Sequence, residues 1–147
     1  MLKNISPVLS PELLKILMEM GHGDEIVIGD GNFPAASMAQ RLVRLDGHGV
    51  PEILDAILQV MPLDVYVDTP VMLMEKVPGD TVETPIWGTY KESVAKYDPR
   101  GEKCFGSIER NAFYDRTREK SCAVIMSGES ALYANIILKK GVVIDAE

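Results

Sequence analysis

Three short apolar runs set the terms for this chain: Glu25-Ile26-Val27-Ile28-Gly29, Ala123-Val124-Ile125-Met126 and Ile136-Ile137-Leu138. Their apolar residues are consecutive rather than alternating with polar ones, the pattern of strands covered on both faces. Segments of helical period run between them. Ser10-Pro11 is a helix start, with Ser as N-cap and Pro at the first helical position; Leu13, Leu14, Leu17 and Met18 then form a stripe that Gly21 ends. Pro51 opens a second helix with Ile53, Leu54, Ile57, Leu58 and Met61 on one face. Residues 85–97 carry Ile86, Tyr90, Val94 and Tyr97 at helical spacing, and Asn111–Glu119 forms a fourth helix. Arg41–Leu45, Leu63–Val67 and Val71–Met74 are further strands, and Asp98–Glu102 is the most loop-like stretch. Val142-Val143-Ile144 is expected to pair within the sheet or against another subunit. Alternating helices and strands predict a compact α/β layered domain, a central sheet flanked by helices. Residues 1–147 are read as one such domain.

Charge and composition remove several classes of function. Acids outnumber bases 22 to 15, for a net charge of −7. The basic stretches are only Lys139-Lys140 and Arg116–Lys120, the latter interrupted by Glu119, so neither a nucleic acid nor an anionic membrane is an expected partner. No apolar run approaches the roughly 20 residues of a membrane span. The first residues, MLKNISPVLSPELL, place Pro7 and Pro11 where a signal peptide needs its apolar region. Cys104 and Cys122 have neither metal nor redox spacing and are expected to be free thiols in a reducing cytoplasm. No zinc-binding pairing, dinucleotide fingerprint, phosphate loop or nucleophile elbow occurs. No metal or cofactor is expected.

A few polar residues stand where chemistry could be done. His22, in Gly21-His22-Gly23-Asp24, lies in a short loop before a buried strand, where an uncrowded imidazole can exchange protons near neutral pH. His48, in Asp46-Gly47-His48-Gly49, has a similar setting and is read as a solvated loop residue. Asp30 ends the strand that begins after His22, and ligands of α/β sheets bind outside the carboxyl ends of strands. Its carboxylate either accepts ligand hydroxyls or closes an Asx-turn with Gly31 and Asn32. Arg110 brings a fork of donors suited to polyhydroxylated or anionic ligands. Tyr114 follows in the same segment, and Tyr133-Ala134-Asn135 offers a phenol, a backbone pair and an amide at the start of the last strand.

The opening MLKNISPVLSPELLKILMEMGHGDEIVIGDGNFPA, the segment RNAFYDR and the tail AVIMSGESALYANIILKKGV together resemble the RbsD/FucU family. The likeness is specific at both ends and weak over residues 64–104. It implies a compact α/β fold, interconversion of sugar anomers without a cofactor, and ring-shaped homo-oligomers, often decamers, with sites near subunit contacts. It implies His22 as general acid, Asp30 and Arg110 as sugar ligands, Tyr133-Ala134-Asn135 as a sugar-binding segment, and Tyr114 as a further candidate. Arg110 with Phe113-Tyr114 points to the fucose side of the family, since ribose pyranases resemble it less there. Two alternatives stay open: pyranase activity on D-ribose or another monosaccharide, and sugar binding without catalysis.

Overall fold

A computed structural model describes residues 1–145. The elements are α1 (Pro11–Glu19), β1 (Glu25–Gly29), α2 (Ala35–Met38), β2 (Leu42–Leu45), α3 (Val50–Leu58), β3 (Val71–Met74), α4 (Pro85–Tyr97), β4 (Phe105–Ile108), α5 (Arg110–Lys120), β5 (Ser121–Ser127) and β6 (Ile136–Lys139), with a 3₁₀ turn at Gly101–Cys104. The sheet order is β2-β5-β1-β6-β3-β4. Five strands are parallel, and β6 runs antiparallel between β1 and β3.

The continuous apolar strands are buried on both faces, as expected. Ile26, Ile28, Val71, Leu73, Ala123, Ile125, Ile136 and Leu138 face the layer of α1, α3 and α4. Val27, Met72, Met74, Val124 and Ile137 face Phe33, Met38 and Phe113 on the other side. In α1, Ser10 Oγ accepts the Leu13 N–H at 3.2 Å, which satisfies one orphan amide of the first turn. The buried stripe of α1 is Leu13, Ile16, Leu17 and Met20, while Met18 is exposed. The i, i+3, i+4, i+7 set therefore governs, rather than the stripe that included Met18. None of the helices among the described residues is long and apolar enough to cross a membrane.

One expected strand is corrected. Leu63–Val67 meets the sheet only at its start, where Leu63 bridges to Lys140 and the Asp64 N–H donates to the Lys139 carbonyl at 3.0 Å. Beyond it the backbone groups are taken by side chains. Asp64 Oδ1 accepts the Tyr66 N–H at 3.0 Å, and the Arg100 guanidinium donates to the carbonyls of Asp64 and Val67 at 3.0 and 3.3 Å. Of the two pairings expected for Val142-Val143-Ile144, the one within the sheet does not form: the segment lies outside the sheet and is exposed in the single chain. Conversely, β4 and the single turn of α2 lack a sequence signal. Phe105-Gly106-Ser107-Ile108 has only two apolar residues, but Gly106 fits closely under Thr69 Oγ1, 3.0 Å from where a Cβ would stand.

The topology gathers several segments on one edge of the sheet. The carboxyl ends of β1, β3 and β4 open there, and so does the amino end of the reversed β6. Asp30, the β3–α4 connection, the start of α5 and Tyr133-Ala134-Asn135 all follow or precede those ends.

Candidate active site

That edge holds an open cleft of about 330 Å³ lined by Asp30, Asn32, Phe33, Met74, Val77, Asp80, Arg110, Tyr114, Leu132, Tyr133 and Asn135. Its floor is set by Asp30, which is 5% exposed. The Asp30 N–H donates to Asn135 Oδ1 at 2.8 Å, tying the end of β1 to the start of β6. Asp30 Oδ1 accepts the Asn32 N–H at 3.0 Å. One carboxylate thus closes the Asx-turn and also lines the cleft. Gly29 lets this happen, because a Cβ there would stand 2.7 Å from the Phe33 side chain.

Burial raises the Asp30 carboxyl above its ordinary range, with Glu129 adding to the effect, while backbone amides of Asn32, Ala134 and Phe33 draw it partly back. A carboxyl raised in the native state stabilises the fold at low pH and loses that contribution as pH rises through its folded value. Asp30→Asn is therefore expected to raise the thermal midpoint at neutral pH, by a margin that widens above about pH 4. Unfolding followed by circular dichroism on both sides of that pH checks this; equal midpoints at the higher pH would contradict it.

Arg110 begins α5, where Glu109 caps the helix by accepting the Ala112 N–H at 3.1 Å. Its guanidinium stacks 5.3 Å from the Tyr114 ring and donates from Nε to the Tyr114 hydroxyl at 3.2 Å. Tyr114 leans on Phe33, ring centroids 5.8 Å apart, so the cleft wall is aromatic behind a cationic fork. Tyr133 closes the opposite side. Its hydroxyl donates to Asp80 Oδ2 at 2.6 Å, and this bond to a carboxylate holds the phenol above the usual tyrosine range. Ala134 is fully buried beneath the cleft, and its carbonyl accepts the Tyr90 hydroxyl at 2.7 Å. It contributes backbone architecture rather than a side chain.

His22 is elsewhere. It precedes β1, whereas Asp30 follows it, so roughly 17 Å of strand separates their levels. Asp30 therefore does not adjust the His22 imidazole within one chain. Asp64 does: His22 Nε2 lies 3.0 Å from Asp64 Oδ1, with side-chain exposures of 45% and 4%. Burial pushes the Asp64 carboxyl up, but the Tyr66 N–H, His22 and Lys139 outweigh it and the net direction is down. With Asp64 ionised, the 3.0 Å contact is an Nε2–H donation to its carboxylate, which leaves Nδ1 as the ring nitrogen without the proton. Gly23, at φ +86°, turns the chain back into β1. Tyr66, 77% exposed, flanks the imidazole at 5.2 Å between ring centroids. His48 pairs with Glu52 at 2.8 Å and belongs to neither group.

Sequence reasoning missed Asp64 and Asp80. Pro78-Gly79-Asp80 reads as a turn and Asp64 as part of a strand, but neither carries a local sign of function, and both are recognised only through partners 42 and 53 residues away.

A model described as the RbsD / FucU transport protein family matches residues 3–143. This chain belongs to that family. The human fucose mutarotase is 46% identical to it, covering 96% of this chain and 94% of that one. Among solved structures, FucU from Bifidobacterium longum superposes with a TM-score of 0.94 at 58% identity, covering 97% of this chain and all of that one. The fucose mutarotase of Streptococcus pneumoniae in complex with L-fucose gives 0.92 at 50% identity, with the same coverage. The α/β architecture is thus that of the RbsD/FucU fold.

Proposed function

We propose that this protein is an isomerase that interconverts the α and β anomers of L-fucose. One observation carries the reading: Asp30, Arg110, Tyr133 and Asn135, from well-separated parts of the sequence, line one cleft. The cleft combines a buried acceptor, a cationic donor fork, an amide and an aromatic wall, the mixture a monosaccharide's hydroxyls and apolar face require. The family relatives named for fucose, one of them bound to L-fucose, support the choice of sugar.

Mutarotation requires the ring oxygen to gain a proton while the anomeric hydroxyl loses one. The C1–O5 bond breaks, an open-chain aldehyde forms, the carbonyl turns about C1–C2, and reclosure on the other face reverses both transfers. His22 Nδ1 supplies and recovers the ring-oxygen proton. Asp30 accepts sugar hydroxyls, and Arg110 and Asn135 fix the others. Tyr133 is a poor proton acceptor, because Asp80 already holds its hydroxyl proton. Water or Tyr114 takes the anomeric proton.

His22 and the cleft stand at opposite edges of the sheet, so the complete site needs two copies: the cleft of one and the His22 edge of the next. That contact is head-to-tail, and its closure gives a ring. Exposed Tyr66 and Val65 beside His22 suit such an interface. The working form in this reading is a cytosolic homo-oligomer, a decamer, with residues 1–147 as one unit in each copy.

The test is exchange NMR of the anomeric protons of L-fucose, with D-ribose beside it. Faster α/β exchange on L-fucose is expected. Acceleration on D-ribose alone would make the protein a pyranase, and sugar binding without acceleration would make it a binding protein.

A further inference from the structure

The β3–α4 connection carries a rigid device that the mechanism above leaves unused. Val77-Pro78-Gly79-Asp80 forms a β-turn in which the Asp80 N–H donates to the Val77 carbonyl at 3.1 Å. Pro78 occupies the second position, and Gly79, at φ +86°, the third, as a type II turn demands. The turn aims two groups at one atom. The Val77 N–H donates to the Tyr133 hydroxyl oxygen at 3.2 Å, and that hydroxyl donates to Asp80 Oδ2 at 2.6 Å. Asp80 Oδ1 is steadied by the Val82 N–H at 3.0 Å.

Tyr133 is held from behind as well. It is one of two non-glycine residues with positive φ among those described, at +55°, and its carbonyl accepts the Trp87 indole N–H at 2.7 Å. Strained backbone of this kind persists only where surrounding contacts fix it. Here the contacts converge on a phenol that lines the cleft.

A tyrosine hydroxyl has one donor and two acceptor positions. The turn occupies the donor and one acceptor, so one lone pair is left for a ligand. We infer that the Val77–Asp80 turn is a positioning element for the substrate: Asp80 and the Val77 amide orient Tyr133 so that its hydroxyl accepts a hydrogen bond from one sugar hydroxyl. Asp80 thereby acts on affinity through Tyr133, and the β3–α4 connection selects sugars bearing a hydroxyl at that place. The inference rests on the reading of the cleft as a monosaccharide site.

The experiment is a double-mutant cycle on the full chain, read as KM and kcat for L-fucose anomer exchange. Asp80→Ala and Tyr133→Phe are each expected to raise KM about tenfold, the loss of one hydrogen bond to the sugar, with kcat changed by less than about threefold. Asp80→Ala in the Tyr133→Phe background is expected to add nothing. Asp80→Asn, which keeps an acceptor oxygen, should restore KM to within about threefold of the parent. Gly79→Ala tests the turn without touching the carboxylate. A Cβ there meets nothing within 4 Å, so its effect comes through φ, and the same KM increase is expected. Additive losses in the double variant, or a fall in kcat at constant KM, would overturn the role of the turn. An unaltered chain that accelerates no sugar would instead overturn the reading of the cleft itself.

Discussion

His22→Ala is expected to fold normally and to slow L-fucose anomer exchange by ~10²–10⁴-fold, the usual contribution of a positioned acid–base group. The fold should survive because the side chain is 45% exposed and its partner Asp64 keeps the Tyr66 N–H. The rate should fall because no second imidazole stands on that edge: the other histidine, His48, follows β2 and is paired with Glu52. A well-folded His22→Ala chain with unchanged turnover would remove the imidazole from the mechanism.

The same variant tests where the site is completed. Asp30→Ala should also be inactive, since it empties the cleft floor. In a head-to-tail ring each site takes its His22 from one copy and its Asp30 from the next. Unfolding the two inactive variants together and refolding them as mixed rings should then regenerate about a quarter of the parental activity, the fraction of contacts that pair two intact halves. A site confined to one chain would regenerate none. The separation of His22 and Asp30 by the length of β1 favours recovery.

How much of this was legible in the sequence depends on the range of the interactions involved. β1, β5 and β6 announced themselves because a strand buried on both faces must be apolar throughout. The α1 and α3 starts were readable because Ser10-Pro11 and Pro51 act within one turn of themselves. Asp30 and Tyr133-Ala134-Asn135 were found as ends of strands, and the sheet brings those ends together. The sequence did not show that His22 and Asp30 occupy opposite edges as functional groups, although eight residues spanning one strand require it. Asp64 and Asp80 were invisible for a different reason. Each is an ordinary loop aspartate until a distant side chain meets it. The apparent strand at Leu63–Val67 failed for the same cause, because Arg100 and Asp64 satisfy backbone groups that a neighbouring strand would otherwise take.

The largest expected loss of stability comes from Arg116→Ala. α5 is a polar helix whose buried residues are only Phe113 and Thr117, so little apolar area holds it to the sheet. Arg116 supplies the second anchor. Its Nε donates to both carboxylate oxygens of Glu25, at 3.0 and 3.2 Å, and its Nη2 donates to Oε2 as well. Glu25 opens β1 and its side chain is only 6% exposed, against 26% for Arg116. Removing the guanidinium leaves a buried carboxylate without its cation, a change that costs about 3 kcal/mol. For a chain of this size that corresponds to a fall of about 10 °C in Tm. The pair itself is a different matter. Removing both charges together leaves no unpaired ion, so Glu25→Leu with Arg116→Met should recover most of the loss. Calorimetry of the single and double variants decides the point: a single variant within about 1 kcal/mol of the parent would mean that Glu25 is adequately solvated without Arg116. The consequence reaches the cleft, because Arg110 and Tyr114 ride on the same helix. A loosened α5 should raise KM for L-fucose in Arg116→Ala, and the apolar double variant should restore it, although neither substitution touches the sugar.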